Sequence, residues 1–181
     1  MSARAGRSRA YRLNGTEEST GSVSGWLEAM RYFEDFESGV ERIAPGRYTV
    51  TEDEIIQMGS TWDPQPFHTD PMLARDSIFG GLVASSVHLF AIAVRLGHSY
   101  PEKAAADTAL GFKELQWHAP ARPGDELRLR SRVDNLRLSR SRPGTGIVES
   151  RMEILNQRDE LVFSYESAAL IRCRPGAADK A

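Results

Sequence analysis

The chain has 181 residues, a formal net charge of −2 and a sequence pI of about 6.1. That length suits one domain with a full core, and the mildly acidic balance argues against a protein whose main task is to coat nucleic acid. The single Cys173 cannot close an internal disulfide, and no apolar run reaches the 18 residues of a membrane helix, so an ordinary soluble cytoplasmic protein is expected.

Residues 1–29 are rich in Gly, Ser, Thr and Arg and poor in large apolar side chains, which predicts a disordered N-terminal extension. The start is basic but lacks the apolar stretch of a secretory signal. Order is expected from about residue 30 to 174, with a short tail over 175–181. A brief strand is predicted over 48–50. Thr51 then stands three residues before Glu54, a capping box, so a helix is expected from 52 to about 60 with Ile55, Ile56 and Met58 on its apolar face.

The next stretch, residues 62–86, reads WDPQPFHTDPMLARDSIFGGLVASS. Pro64 and Pro66 oppose a helix across residues 63–68 and predict an extended or turned backbone there. Asp70-Pro71 can cap a short helix through about Asp76. Gly80-Gly81 interrupts the chain. Val83, Val87, Phe90 and Val94 then recur at helical spacing, predicting a largely wrapped helix over 83–96 that stops at Gly97. His88 falls inside that helix and reads as a packed or partner-facing residue. His98 and His118 read as residues at element ends.

From about residue 107 the period becomes two. Leu110, Phe112, Leu115 and Trp117 mark one strand. Leu127, Leu129 and Val133 alternate with Arg128, Arg130 and Arg132 in a second. Val148, Met152 and Ile154 mark a third, and residues 161–171 a fourth. One apolar helix followed by long antiparallel strands predicts an α+β fold, its sheet curled around the helix. Arg128, Arg130, Arg132, Arg137, Arg140 and Arg142 read first as a solvated sheet face, and second as contacts for phosphate groups.

Three stretches carry a family resemblance across residues 32–174. They are Tyr48-Thr49-Val50-Thr51-Glu52; Asp63-Pro64-Gln65-Pro66-Phe67-His68-Thr69-Asp70 with Ile78-Phe79-Gly80-Gly81-Leu82-Val83-Ala84 after it; and Pro123-Gly124-Asp125-Glu126-Leu127 with Leu138 to Pro143 and Asn156-Gln157. The chain resembles the MaoC-like acyl dehydratases, which include the (R)-specific enoyl-CoA hydratases. The resemblance implies the hot-dog fold and a signature of Asp, any residue, Asn, Pro, any residue, His. Asp63, Pro66 and His68 stand at those positions, and Gln65 replaces the Asn. Where the family often reads Ala-His-Gly, this chain reads Ala84-Ser85-Ser86.

What the resemblance implies is reversible hydration of an enoyl thioester. Asp63 and His68 are the expected catalytic pair. The backbone N–H of Ser86 is the expected donor to the thioester carbonyl, with Gln65 and Gly81 as weaker substrate contacts. Coenzyme A enters only as part of an acyl-CoA substrate. No separate cofactor, metal, nucleic acid or membrane is expected, and a homodimer is. A hot-dog acyl-CoA thioesterase and a non-catalytic acyl-binding module are the rivals. The first suffers because residues 83–96 hold no carboxylate; the second draws on the serine at 86.

Overall fold

The computed structural model describes residues 30–176, so the expected extension over 1–29 and residues 177–181 of the tail lie outside the described residues. Among the described residues eight strands and four α-helices follow in chain order, with a 3-10 turn at Phe33–Asp35 after the first strand: β1 Met30–Arg31, β2 Glu41–Ile43, β3 Tyr48–Thr49, α1 Glu52–Trp62, α2 Pro66–Thr69, α3 Pro71–Arg75, α4 Ser86–Gly97, β4 Lys103–Ala104, β5 Ala106–Trp117, β6 Glu126–Leu138, β7 Thr145–Leu155 and β8 Leu161–Arg172.

The main sheet has the order β2-β6-β7-β8-β5, and β3 extends it on β6. Its long neighbours are antiparallel, with Ser150 opposite Ser167 and Leu129 opposite Ile154. The period of two puts Leu127, Leu129, Ile154, Phe163 and Tyr165 on the concave face. Leu89, Ile92, Ala93 and Leu96 of α4 meet them there, and all are buried. Each such Leu, Ile or Phe contributes about 1.5–3 kcal/mol relative to an exposed side chain. This is an α+β hot-dog arrangement, a curved antiparallel sheet around one helix.

The convex face carries the arginines. Arg130 pairs with Glu153, its direct cross-strand neighbour, at 2.6 Å, and Arg128 pairs with Asp159 in the following turn. Arg132 is exposed and bonds Asp134.

Beyond the C-terminal end of α4 the concave face is covered by a strap over residues 30–40, which the sequence periodicity did not reveal. Phe33 and Phe36 lie with Val133, Val148 and Ile171 in a second apolar cluster. Any side chain at Gly146 would enter the Phe33 ring, so the strap closes onto bare backbone there. Its two-residue strand β1 pairs in parallel with β4.

Two local expectations need correction. Residues 63–68 are expected to be extended or turned with no helix, but Pro66–Thr69 is helical, because Pro66 takes the first position, where proline's missing N–H has no intrahelical acceptor to lose. The central helix begins at Ser86, not at 83, because the Val83 carbonyl, which a helix from 83 would need for the Val87 N–H, accepts from His68 Nδ1 instead. The Thr51 cap forms as expected, accepting from the Glu54 N–H. The Glu54 carboxylate, however, accepts from the Thr51 and Tyr48 hydroxyls.

No helix among the described residues is long and apolar enough to cross a membrane. Burial pushes the Tyr165 phenol up to about 12, so it stays neutral at any physiological pH.

His88 is buried in α4 with no hydrogen-bond partner at Nδ1 among the described residues. Burial lowers its pKa from 6.5, with Glu54 opposing weakly. A depressed folded pKa means that the neutral form costs nothing above pH 6.5, and that stability falls as pH drops below it. His88→Leu is therefore expected to stay within about 1.5 kcal/mol of wild type at pH 8. It should lose less stability than wild type between pH 7 and 5. Urea melts at the two pH values decide this, and equal losses in both chains would count against it.

Candidate active site

The site is built where α1 ends and α2 begins. Asp63 is the residue after α1, and its N–H is bonded to the Gly59 carbonyl. Pro64 and Pro66 then fix two φ angles in the next three residues. Gln65 precedes α2, and its carbonyl accepts from the His68 N–H at 2.9 Å. The result is a tight reversal that brings His68 back against the end of α1.

Gly59 makes that approach possible. A Cβ there would lie 2.5 Å from the His68 carbonyl oxygen and 2.8 Å from its Cβ. Nothing in the sequence marks this residue, because a helical glycine reads as a weak point rather than as a contact.

The imidazole is buried and held on both sides. Its Nδ1 lies 2.7 Å from the Val83 carbonyl oxygen. A carbonyl can only accept, so Nδ1 carries a proton and Nε2 is left for the site. Nε2 stands 3.4 Å from Asp63 Oδ2, whose side chain is half-buried. That gap exceeds an ordinary hydrogen bond, and a water set to one side can touch both atoms at normal length. The Phe67 ring lies edge-on to His68 at 4.5 Å and contacts Phe79 at 5.1 Å, walling the imidazole with apolar surface.

The Val83 peptide links this pair to the central helix. Its N–H donates to the Phe67 carbonyl at 3.1 Å while its own carbonyl takes the His68 proton. Three residues later α4 begins. Ser85 caps it, its hydroxyl accepting from the His88 N–H at 3.3 Å. The cap serves the third N–H of the helix, so those of Ser86 and Val87 remain directed out of its first turn. Asp63, His68 and Ser86 thus lie along one continuous path, from the end of α1 through the Val83 bond to the start of α4.

The weaker contacts fare differently. Gln65 is exposed, and its side chain makes no cap bond. Gly81 lies in the loop that leads to Val83, and a Cβ there would lie 3.6 Å from the Arg122 guanidinium. Arg122, which the sequence did not single out, donates to the Phe79 carbonyl at 2.6 Å and holds this loop. Asp125 and Gln157 act elsewhere: Asp125 accepts from the Arg122 N–H and the Gln157 amide, locking two turns together. Asp70 caps α3 through the Met72 and Leu73 N–H groups. Among the described residues no three His, Cys, Asp or Glu side chains converge as a metal site would require.

The MaoC like domain profile matches residues 36–153. A MaoC-like dehydratase from Rhodospirillum rubrum is 35% identical, covering 80% of this chain and 99% of its own, with a TM-score of 0.73. Mesaconyl-CoA hydratase of Cereibacter sphaeroides is 37% identical over 100 residues; the match spans 54% of this chain but only 29% of that enzyme. A Mycobacterium tuberculosis protein with a double hot-dog fold, 19% identical, superposes with a TM-score of 0.67 over 82% of this chain and 46% of its own.

Gly59→Ala separates a contact role from a helix-propensity role. In an open helix the change stabilises by about 0.5–1 kcal/mol. Here the added methyl meets the His68 backbone, and overpacking of that kind costs about 1–3 kcal/mol. The expected result is a lower urea midpoint with an unchanged m-value. A raised midpoint would show that the approach of His68 does not depend on this glycine.

Proposed function

This chain belongs to the MaoC-like dehydratase domain family, and from that premise we propose that it catalyses the reversible addition of water across the C2=C3 bond of an enoyl-CoA, giving an (R)-3-hydroxyacyl-CoA. The observation that carries the proposal is the 3.4 Å approach of His68 Nε2 to Asp63 Oδ2, with Nδ1 pinned by Val83. A water held by both groups has one acceptor oxygen and one ring nitrogen beside it.

In the hydration direction Asp63 takes a proton from that water as its oxygen bonds to C3. Asp63 passes that proton across the short gap to His68 Nε2, which is open in this tautomer, and His68 delivers it to C2, so both groups are restored and the net change is one water added. As charge builds on the thioester oxygen, the Ser86 N–H donates to it from the start of α4. The Ser86 side chain leaves this donor intact, because the backbone supplies it.

The proposal includes a homodimer. All twelve residues of β5 are exposed, and among the described residues it pairs only with β8, which leaves its other edge open. Its Leu110, Phe112 and Trp117 are each about half exposed, as are Val87 and Val94 on α4. An open apolar edge is stabilised by pairing with a second copy.

Three measurements test these statements. Asp63→Ala and His68→Ala should each lower crotonyl-CoA hydration by about 10²–10⁴-fold, the range of positioned acid–base groups, with the fold retained. Loss of absorbance from the conjugated thioester reads hydration, and thiol release reads thioesterase action. Turnover near wild type in either variant refutes the assignment.

Ser86→Pro tests the backbone donor alone. Proline suits the first helical position, and Ser85 already has the extended ψ of 161° that a following proline needs. The variant should fold, bind substrate and lose about 10²–10³ in kcat, the usual cost of one such donor. Ser86→Gly should retain the rate.

In solution, light scattering should give twice the 20.1 kDa chain mass. Phe112→Glu should shift it toward the monomer.

A further inference from the structure

A cavity of about 740 Å³ lies against the concave sheet at the far end of α4 from Ser86. Twelve helical residues separate the two places, about 18 Å at 1.5 Å per residue. The cavity is bounded by Gly97 and His98 at the helix end, by the strap, and by the floor of β6, β7 and β8. Its size lies in the usual range for small-molecule sites. Val133, Val148, Met152 and Ile171 make its surface predominantly apolar, and Ser150 and Ser167, paired across β7 and β8, add hydroxyls to the floor.

Two guanidinium groups line the same space. Arg42 is neutralised by Glu102 at 2.7 Å and lies over the Tyr100 ring. Arg31 is different. Its Nη2 donates to the Asp35 carbonyl, its guanidinium stacks 4.1 Å from the Phe36 ring, and no carboxylate among the described residues forms an ion pair with it. It is only partly exposed. Burial, and then the charge of Arg42, lower its pKa, with Glu102 and Asp35 opposing more weakly. A guanidinium so placed has free donors in a planar fork that fits a carboxylate. A partly buried guanidinium with these neutral contacts and no carboxylate paired to it among the described residues gains from a ligand that supplies the opposite charge.

We propose that this cavity is a second ligand site, separate from the Asp63–His68 centre, for a monocarboxylate with an apolar chain: the carboxylate pairs with Arg31 and the chain lies on Val133, Val148 and Ile171. The proposal does not depend on the hydration chemistry.

Sodium laurate, below its micellar concentration, is the probe, titrated calorimetrically into the full-length protein. One saturable site per chain is expected. Arg31→Gln should weaken laurate at least tenfold while leaving dodecanol, which has the same chain and no charge, unchanged. Ala169→Phe, which fills the cavity, should abolish binding of both. Asp63→Ala should bind laurate as wild type does, whatever its effect on hydration. If Arg31→Gln does not fold, the wild-type chain still decides, because an apolar cavity without a usable cation prefers dodecanol, whereas this site must prefer laurate. The proposal is overturned by absence of saturable laurate binding, by equal laurate affinity in Arg31→Gln, or by displacement of laurate by crotonyl-CoA.

Discussion

The Val83 peptide is the constraint on which the rest of the site depends. Its N–H is committed to the Phe67 carbonyl and its carbonyl to the His68 ring. With that carbonyl taken by His68, it cannot accept from the Val87 N–H, so the helix begins after it, at Ser86. That one requirement sets the tautomer of His68, fixes the start of α4 at the Ser85 cap and determines which N–H groups are left open. A buried polar group without its partner costs about 1–3 kcal/mol, so this pair of bonds resists any slip of one segment along the other. Gly59 admits the His68 backbone against α1, and Phe67 packs edge-on to the imidazole.

The sheet supplies a rigid floor for that arrangement. Phe90 of α4 contacts Phe112 at 5.0 Å and Tyr165 at 5.3 Å, and Phe163 joins them at the base. Edge-to-face rings of this kind add about 0.5–1.5 kcal/mol beyond the area they bury. Phe112 is nevertheless about half exposed on β5. The aromatic cluster therefore runs from the core to the open sheet edge, and a partner placed there would continue the packing that α4 begins.

The elements legible in the sequence were those whose signal is local. The Thr51 and Asp70 caps, the stop at Gly97 and the two-residue period of β5 to β8 each need only a few neighbouring residues. Asp63 and His68 were legible as a pair because the stretch around them resembles the family signature, in which they stand at that spacing. The strap was not, since strands of two or three residues carry no period and take their shape from Gly146 and the second apolar cluster. Gly59 and Arg122 escaped for the same reason: each acts across the fold, on His68 and on the Phe79 carbonyl, and nothing beside them in the chain marks it. The turn at Pro66 was misjudged because proline was weighed as a helix breaker, when at a first position it is a helix starter.

The two longer helices use their N-termini in opposite ways. The first turn of α1 holds Glu52, Asp53 and Glu54, so its positive end is neutralised by its own side chains. The first turn of α4 has no acidic residue, and its cap is an uncharged serine. An apolar helix could begin with an acid at little cost, and would gain about 0.3–1 kcal/mol from one. Forgoing that gain leaves the dipole and two N–H groups unspent at the place where the Asp63–His68 pair approaches. The proposed reaction develops its negative charge on a thioester oxygen, and an acid in that turn would repel it. The charge distribution between the two helices thus favours the same end of α4 that the Val83 bonds expose.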